Sequence, residues 1–345
     1  MEKRNSEFVT HFNIANKLVG PNEPVFIIAE AGVAHFGNIE KAKRLVDMSV
    51  DAGADAFKTQ AFHTDMLVSN HLPEWRERLR SKEVGFEFID QIKDYCDECG
   101  ILFLCTPHES SVLSWLDKWN VPAIKIGSGE RGNTPFLNEI VKLNKPVILS
   151  TGMYKRNHID QALEIFSDAG LKELALLHCV TSYPTPHEDV NLKLMNDLRK
   201  GFSGPVGYSD HTKGHEACMV AVSMGAQLIE KHITLDFNIP NAQDWKVSCG
   251  PDDFTDFVRS IRNIEVIRGD GKRTTLKCEE GAIVWALKSL VAAKNLKIGH
   301  RITESDIIAK RPGNGISPDK INIVIGRVLR SEILKDEKIK WSNLL

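Results

Sequence analysis

The sequence predicts an α/β protein: a (β/α)8 barrel followed by a small, β-rich C-terminal unit. Three observations carry this expectation. Eight short apolar runs alternate with eight amphipathic ones over about 245 residues, the size and rhythm of such a barrel. Each apolar run ends in polar residues able to do chemistry, and barrel enzymes place their chemistry at strand C-terminal ends. Past residue 268 the alternation stops, and short strand-like pieces joined by turn signals take over. An open doubly wound sheet is the competing arrangement, but no Gly-x-Gly-x-x-Gly follows the first strand.

A polar lead-in precedes the first strand, 25–30, which ends on Glu30. Helix 39–52 has apolar residues at helical spacing and is closed by Gly53. The second strand, 54–60, ends Lys58-Thr59-Gln60. Residues 63–82 form a polar, aromatic-bearing insertion, too long for a routine connection and therefore a candidate lid. Helix 86–99 leads to strand 101–105 and Thr106-Pro107-His108. Helix 110–119 leads to strand 123–128, which carries Lys125 and Ser128 and runs into Glu130. Helix 134–143 precedes strand 146–150 with Ser150, and helix 159–169 precedes strand 173–179 with His178. Helix 190–200 precedes strand 206–208, followed by Ser209-Asp210-His211. Helix 216–225, rich in Ala, Met and Val, precedes strand 227–233 with Glu230-Lys231-His232, and helix 254–268 closes the series. The expected division is a barrel over 1–268, a polar linker over 269–284 and the β-rich unit over 285–345. Strand-like pieces in that unit fall at 288–293, 307–310, 324–328 and 339–341.

Composition narrows the classes. A net charge of −2 argues against a nucleic-acid binder but leaves room for a small basic pocket. Seven scattered cysteines, an odd number, read as reduced thiols, and the lone Cys96-x-x-Cys99 lacks the second pair a zinc site needs. The polar N-terminus has no signal-peptide core, and no run of about 18 apolar residues occurs, so the expectation is a cytoplasmic protein without a membrane partner.

The clusters Ser209-Asp210-His211 and Glu230-Lys231-His232 end two successive strands. If those strands are parallel neighbours, two imidazoles and two carboxylates converge at one rim, enough for a divalent metal with open positions. Lys58 and Lys125 are expected to point into the same mouth, where an ammonium needs a counter-anion. A bound phosphate or carboxylate would serve, with Thr106, Ser128, Ser150 and Ser209 adding hydroxyl donors; pairing with Glu30 or Glu130 is the structural alternative. Glu30 is the obvious proton-transfer group. His63, His71 and His108 fall in loops, where imidazoles are usually surface groups.

Six stretches now resemble a known family: Ile28-Ala-Glu-Ala-Gly-Val-Ala-His-Phe-Gly37, Phe57-Lys-Thr-Gln60, Ile124-Lys-Ile-Gly-Ser-Gly-Glu130, Leu177-His-Cys-Val-Thr-Ser-Tyr-Pro-Thr-Pro186, Gly207-Tyr-Ser-Asp-His-Thr212 and Glu230-Lys-His232. They are similar to the sialic acid synthase family (N-acetylneuraminate, legionaminate and pseudaminate synthases). Residues 285–345, with Lys310-Arg-Pro-Gly-Asn-Gly315, resemble its antifreeze-like (SAF) domain. The chain departs from the family's usual pattern at several positions: Ala34 and Thr181 stand where Asn is common, Phe36 replaces a polar residue, and Ala242-Gln243-Asp244 stands for Gly-Pro-Asp with an apparent one-residue insertion nearby.

The resemblance implies condensation of phosphoenolpyruvate with an N-acylated amino sugar to a nonulosonic acid, with phosphate lost by C–O cleavage. It implies His211 and His232 as ligands of Mn²⁺ (Mg²⁺ or Co²⁺ being possible) and Lys58, Thr106, Lys125, Ser128, Ser150 and Ser209 as the phosphoenolpyruvate site. Glu30 would move protons, with Lys58, Lys125 and Asp244 as its catalytic companions. Gln60, Glu130, Tyr183 and Asp244 would meet the sugar or a metal-bound water, and Arg311 would reach the sugar's N-acyl group across a swapped homodimer. Two other readings use the same residues: a metal-dependent barrel hydrolase or isomerase, and a non-catalytic sugar-binding homologue.

Overall fold

The structure is a computed structural model and describes residues 7–239, 242–274 and 276–345. The chain divides into two compact units, with the boundary after Gly269. An N-terminal hairpin comes first, β1 (Phe12–Ile14) and β2 (Lys17–Val19). There follow β3 (Phe26–Gly32), α1 (Ile39–Ala52), β4 (Ala56–Ala61), α2 (Thr64–Leu67), α3 (Pro73–Arg80), α4 (Phe86–Cys99), β5 (Leu102–Pro107) and α5 (Leu113–Lys118). Next come β6 (Ile124–Ile126), α6 (Thr134–Ile140), β7 (Val147–Ser150), α7 (Arg156–Asp168), β8 (Leu174–Cys179) and α8 (Leu194–Lys200). The first unit ends with β9 (Val206–Asp210), α9 (Glu216–Ser223), β10 (Leu228–His232) and α10 (Phe254–Arg268).

Strands β3 to β10 form one parallel sheet in the order β5-β4-β3-β10-β9-β8-β7-β6, and β5 packs beside β6 to bring its two ends together. The expected barrel is present. Local signals set its helices. Asn38 accepts from the Lys41 N–H at 3.0 Å at the start of α1, and Gly53, at φ 79°, ends that helix in the left-handed conformation that glycine tolerates best.

Alternation along the strands separates two cores. Outward residues such as Ile27, Phe57, Phe103, Leu149, Leu176 and Ile229 pack in the large cluster shared with the helices. Inward residues such as Phe26, Ile28, Ala56, Leu104, Ile148, Leu177 and Leu228 pack with Phe12, Ile14 and Val19 of the hairpin, which fills the barrel's N-terminal end. One inward step further along each strand the side chains turn polar: Glu30, Lys58, Thr106, Lys125, Ser150, Ser209 and Glu230. The barrel thus has an apolar floor and a polar mouth.

Some elements differ from the sequence expectation. The lead-in contains the hairpin β1–β2, whose three-residue strands are too short to show a period. The insertion at 63–82 holds α2 and α3, and α3 buries none of its residues although Trp75 and Leu79 share one of its faces. Among the described residues no helix is long and apolar enough to cross a membrane, and all seven cysteines are free thiols.

The second unit contains α11 (Glu280–Ala286), antiparallel β11 (Ser289–Ala292) and β12 (Ile307–Lys310), and α12 (Ile321–Val324). Residues 324–328 are not a strand: α12 ends at Val324, and only Val328 makes an isolated bridge, to Arg301. The stretch expected at 339–341 runs into a 3-10 turn, Trp341–Asn343. Leu290, Ile302, Val324, Leu329, Ile333 and Ile339 form its small core.

Asp306 is the buried charge of this unit. It accepts from the Thr303 N–H at 2.8 Å, the Thr303 hydroxyl at 2.7 Å and His300 Nε2 at 2.8 Å, and it pairs with Lys294 at 2.9 Å. Burial alone would raise its pKa, but His300, Lys294 and Thr303 together hold it well below the usual carboxylate range. Its folded pKa is depressed, so its stabilisation is complete above the unfolded carboxyl's value of about 3.9 and drains away as pH falls below that. Asp306→Asn is expected to lower thermal stability near pH 7 by about 1–3 kcal/mol and to remove part of the loss seen below pH 4. Unchanged melting profiles at both pH values would contradict this role.

Candidate active site

The polar mouth of the barrel encloses a cavity of about 210 Å³. Lining it are Glu30, Lys58, Gln60, Thr106, His108, Lys125, Ser128, Ser150, Cys179, Thr181, Tyr183, Ser209, His211, Glu230 and His232, with Gly127 and Gly129. Eight different strands contribute through their C-terminal ends, which is why residues separated by 200 positions in the chain meet here.

At its base lie two ammonium groups and two carboxylates, each no more than 4% exposed. Lys58 Nζ pairs with Glu30 at 2.6 Å and with Glu230 at 3.6 Å, and Lys125 Nζ pairs with Glu230 at 3.4 Å. Lys58 also donates to Thr106 Oγ1 at 2.9 Å and Lys125 to Ser150 Oγ at 2.8 Å, while Ser209 donates to Glu230 at 3.0 Å. Burial opposes the charge on Lys58, but Glu230 and Glu30 outweigh it and keep its pKa above the ordinary lysine value. Burial wins at Lys125, which is lowered despite Glu230. Glu230, which burial would raise, is pulled down to about 2 by Lys125 and Lys58. A bound anion is therefore not required to neutralise the lysines. The pairing alternative is what this structure contains, with Glu230, and not Glu130, as the second partner.

Two imidazoles line the same mouth, at the ends of β9 and β10. His211 and His232 have ring centroids 5.3 Å apart, and Tyr183 lies 4.0 Å from the His211 ring. His211 Nδ1 is 2.7 Å from the Val180 carbonyl, so it carries the proton and leaves Nε2 with the lone pair a metal needs. His232 Nδ1 is buried with no hydrogen-bond partner. Burial, and then the neighbouring His232, lowers His211 to about 4, which keeps it neutral. The donor set fits a divalent ion held by two imidazole nitrogens.

The expected pair of carboxylate ligands does not join them. Among the described residues no group of three or more His, Cys, Asp or Glu side chains is gathered for a metal. Alternation is the reason: 209 and 211 point inward on β9, so Asp210 points outward, and Lys231 does the same between Glu230 and His232. Outside the barrel Lys231 Nζ meets Asp210 at 2.6 Å and the Thr212 carbonyl at 2.9 Å. Tyr208 OH and the Thr212 N–H donate to the same carboxylate at 2.8 and 2.9 Å. Glu230 does face inward, but towards the lysines.

Gln60 donates to Glu30 at 2.7 Å, and Asp244 lies beside both across Gly32, where a Cβ would sit 3.3, 3.4 and 3.6 Å from Gln60, Glu30 and Asp244. Gly32 stands at φ 54°, the left-handed conformation that glycine tolerates best. At Gly152 space is the constraint: a Cβ would fall 2.3 Å from Thr181 Oγ1 and 2.7 Å from Ser128 Oγ. Glu130 is buried but outside the lining, accepting from Asn133 Nδ2 at 2.7 Å, and burial raises its pKa. Ala34 packs on the outer core and not on the cavity. Arg311 belongs to the second unit, where its Nε donates to the Ala286 carbonyl at 3.0 Å. Sequence reasoning set His108 aside as a surface group and did not place Cys179 in the site; both line the cavity. The signal was available, because 106 and 108, like 177 and 179, are two residues apart and so share a face.

The sequence matches the NeuB family over residues 45–273 and the SAF domain over residues 288–345. It is 41% identical to an uncharacterised protein of Methanocaldococcus jannaschii, over 96% of this chain and 98% of that one. It is 37% identical to an N,N'-diacetyllegionaminic acid synthase of Campylobacter jejuni, over 91% and 98%. The crystal structure of an N-acetylneuraminic acid (sialic acid) synthetase from Leptospira borgpetersenii superposes with a TM-score of 0.74 at 34% identity, covering 80% of this chain and 95% of that one.

The Asp210–Lys231 pair holds β9 to β10 from outside, and removing one partner of a buried pair costs about 3–5 kcal/mol. Lys231→Met is expected to lower the melting temperature by that measure, because Asp210 loses its ammonium. A variant that melts with the unchanged protein would show that this pair does not hold the two rim strands.

Proposed function

The chain belongs to the NeuB family and carries a SAF domain, and from that premise we propose that it is a transferase joining phosphoenolpyruvate to an open-chain N-acylated amino-sugar aldehyde. The product is a nonulosonic, 3-deoxy-2-keto acid, and inorganic phosphate leaves by C–O cleavage. One observation carries the reading: a pair of carboxylate-paired lysines and a pair of histidines line one cavity of about 210 Å³.

A divalent metal held by His211 and His232, manganese by preference with magnesium or cobalt as substitutes, would supply Lewis-acid polarisation of the aldehyde. The chain's own residues do the rest. Lys58 and Lys125 turn from their carboxylates to the phosphate and carboxylate of phosphoenolpyruvate, with Thr106, Ser128, Ser150 and Ser209 donating beside them. C3 of phosphoenolpyruvate forms the new C–C bond, water adds at C2, and the C2–O bond breaks as phosphate departs with its electron pair. One proton of the added water ends on the new hydroxyl, and the other leaves the C2 hydroxyl for the departing phosphate as the keto group forms. Glu30, freed from Lys58 and steadied by Gln60, is the group placed to move them, with Asp244 alongside. The ammonium groups are fixed before charge develops, which is where electrostatic stabilisation is most effective. Gln60, Tyr183, Asp244 and Glu130 stand on the sugar side of the proposal. It extends to a cytoplasmic homodimer in which one copy's exposed Arg311 serves the other's cavity.

The test is phosphate release from phosphoenolpyruvate with Mn²⁺, across N-acetylmannosamine, 2,4-diacetamido-2,4,6-trideoxyhexoses and simple aldoses. Release that depends on one amino sugar is expected, and Glu30→Gln should bind phosphoenolpyruvate at least as tightly as the unchanged chain while turning over at least about a hundredfold more slowly. Release without any sugar, or an active Glu30→Gln, would count against the mechanism.

A further inference from the structure

His108 lines the cavity and is unused by the reaction as derived so far. It follows β5 directly and continues the inward series of that strand. Leu104 belongs to the apolar floor, Thr106 receives Lys58, and His108 is the next inward residue above them. Its backbone N–H donates to the Ala61 carbonyl at 3.1 Å, and its ring meets Phe62 edge-on at 6.2 Å. Neither contact uses a ring nitrogen, and no hydrogen bond to one occurs among the described residues. Gly127 faces it: a Cβ there would lie 3.8 Å from His108 Cε1 and 3.9 Å from Thr106 Cγ2. The imidazole, the Thr106 side chain and the Gly127 backbone therefore border one gap.

Burial, followed by Lys58 and then Lys125, pushes the imidazole down to about 4, so it is neutral near pH 7 despite the opposing pull of Glu109. A neutral imidazole offers one N–H donor and one acceptor. Beside two ammonium groups, the donor has no protein acceptor and suits an anionic oxygen. In the sheet order, β5 and β6 lie across the barrel from β9 and β10, which carry the histidine pair. Lys58, Thr106, Lys125 and Ser128, the donors suited to a group with three oxygens, lie on the β4–β6 side with it.

Resting on the phosphoenolpyruvate reading of this cavity, we propose that His108 is a further substrate-binding residue whose ring N–H donates to a phosphoryl oxygen on the β5–β6 side of the mouth. It recognises the phosphoryl group without adding a third positive charge, so phosphate is bound and still able to leave.

Isothermal titration with Mn²⁺ at pH 7 tests this, using phosphoenolpyruvate, inorganic phosphate and pyruvate on the unchanged chain, His108→Phe and His108→Gln. His108→Phe keeps a flat ring without donors and is expected to bind phosphoenolpyruvate and phosphate about ten- to a hundredfold more weakly, with pyruvate unaffected. His108→Gln, which keeps an N–H, should stay within a few fold of the unchanged chain. Undiminished phosphoenolpyruvate binding by His108→Phe, or an equal loss for pyruvate, overturns the assignment while leaving the reaction standing. Absence of phosphoenolpyruvate binding by the unchanged chain overturns both.

Discussion

Two lysine ammonium groups buried at the mouth of a barrel set the terms for everything around them. Neither can stay charged at that depth without anionic partners, because the desolvation of an ion costs several kcal/mol. Glu30 from the first barrel strand and Glu230 from the last supply those partners to Lys58 and Lys125. The barrel has to close for this to happen: β3 and β10 must be neighbours, and they pair directly, with His232 opposite Glu30 in register. The apolar floor and the hairpin beneath it exclude water from below, so the array opens only towards the cavity. Under the proposed function an entering anion would compete with carboxylates already in place.

The same strand geometry separates the side chains that face the cavity from those that pair outside the barrel. On β9 and β10, Ser209, His211, Glu230 and His232 face the cavity, while Asp210 and Lys231 form a saturated pair outside. Adjacent residues in two three-residue motifs thus do unrelated work, and only the alternation tells them apart.

The barrel, all eight of its strands and most of the site were legible in the sequence because each strand is an apolar run that turns polar at its C-terminal end. What escaped notice had a physical reason. Strands β1 and β2 are too short to show a period, and α3 is only eight residues long and buries none of them. Residues 324–328 look strand-like in composition, yet Val324 is drawn into the small core as the end of a helical turn. Asp210 suits a metal by residue type, but its position on β9 turns it away from the cavity. Glu230 is adjacent in sequence to a histidine cluster, yet its charge belongs to the lysines. His108 lies beyond the strand in sequence, yet it continues the inward period of β5.

The proposed reaction requires the carboxylates to act as replaceable partners of the lysines. Thermal unfolding of the unchanged chain and of Glu230→Gln, each with and without phosphoenolpyruvate, tests this most directly. Glu230→Gln leaves Lys58 and Lys125 sharing Glu30 alone, so the variant should melt lower without ligand and gain more from phosphoenolpyruvate than the unchanged chain does. Equal melting temperatures and equal ligand-induced shifts would show that Glu230 does not hold the lysines in trust for an anion.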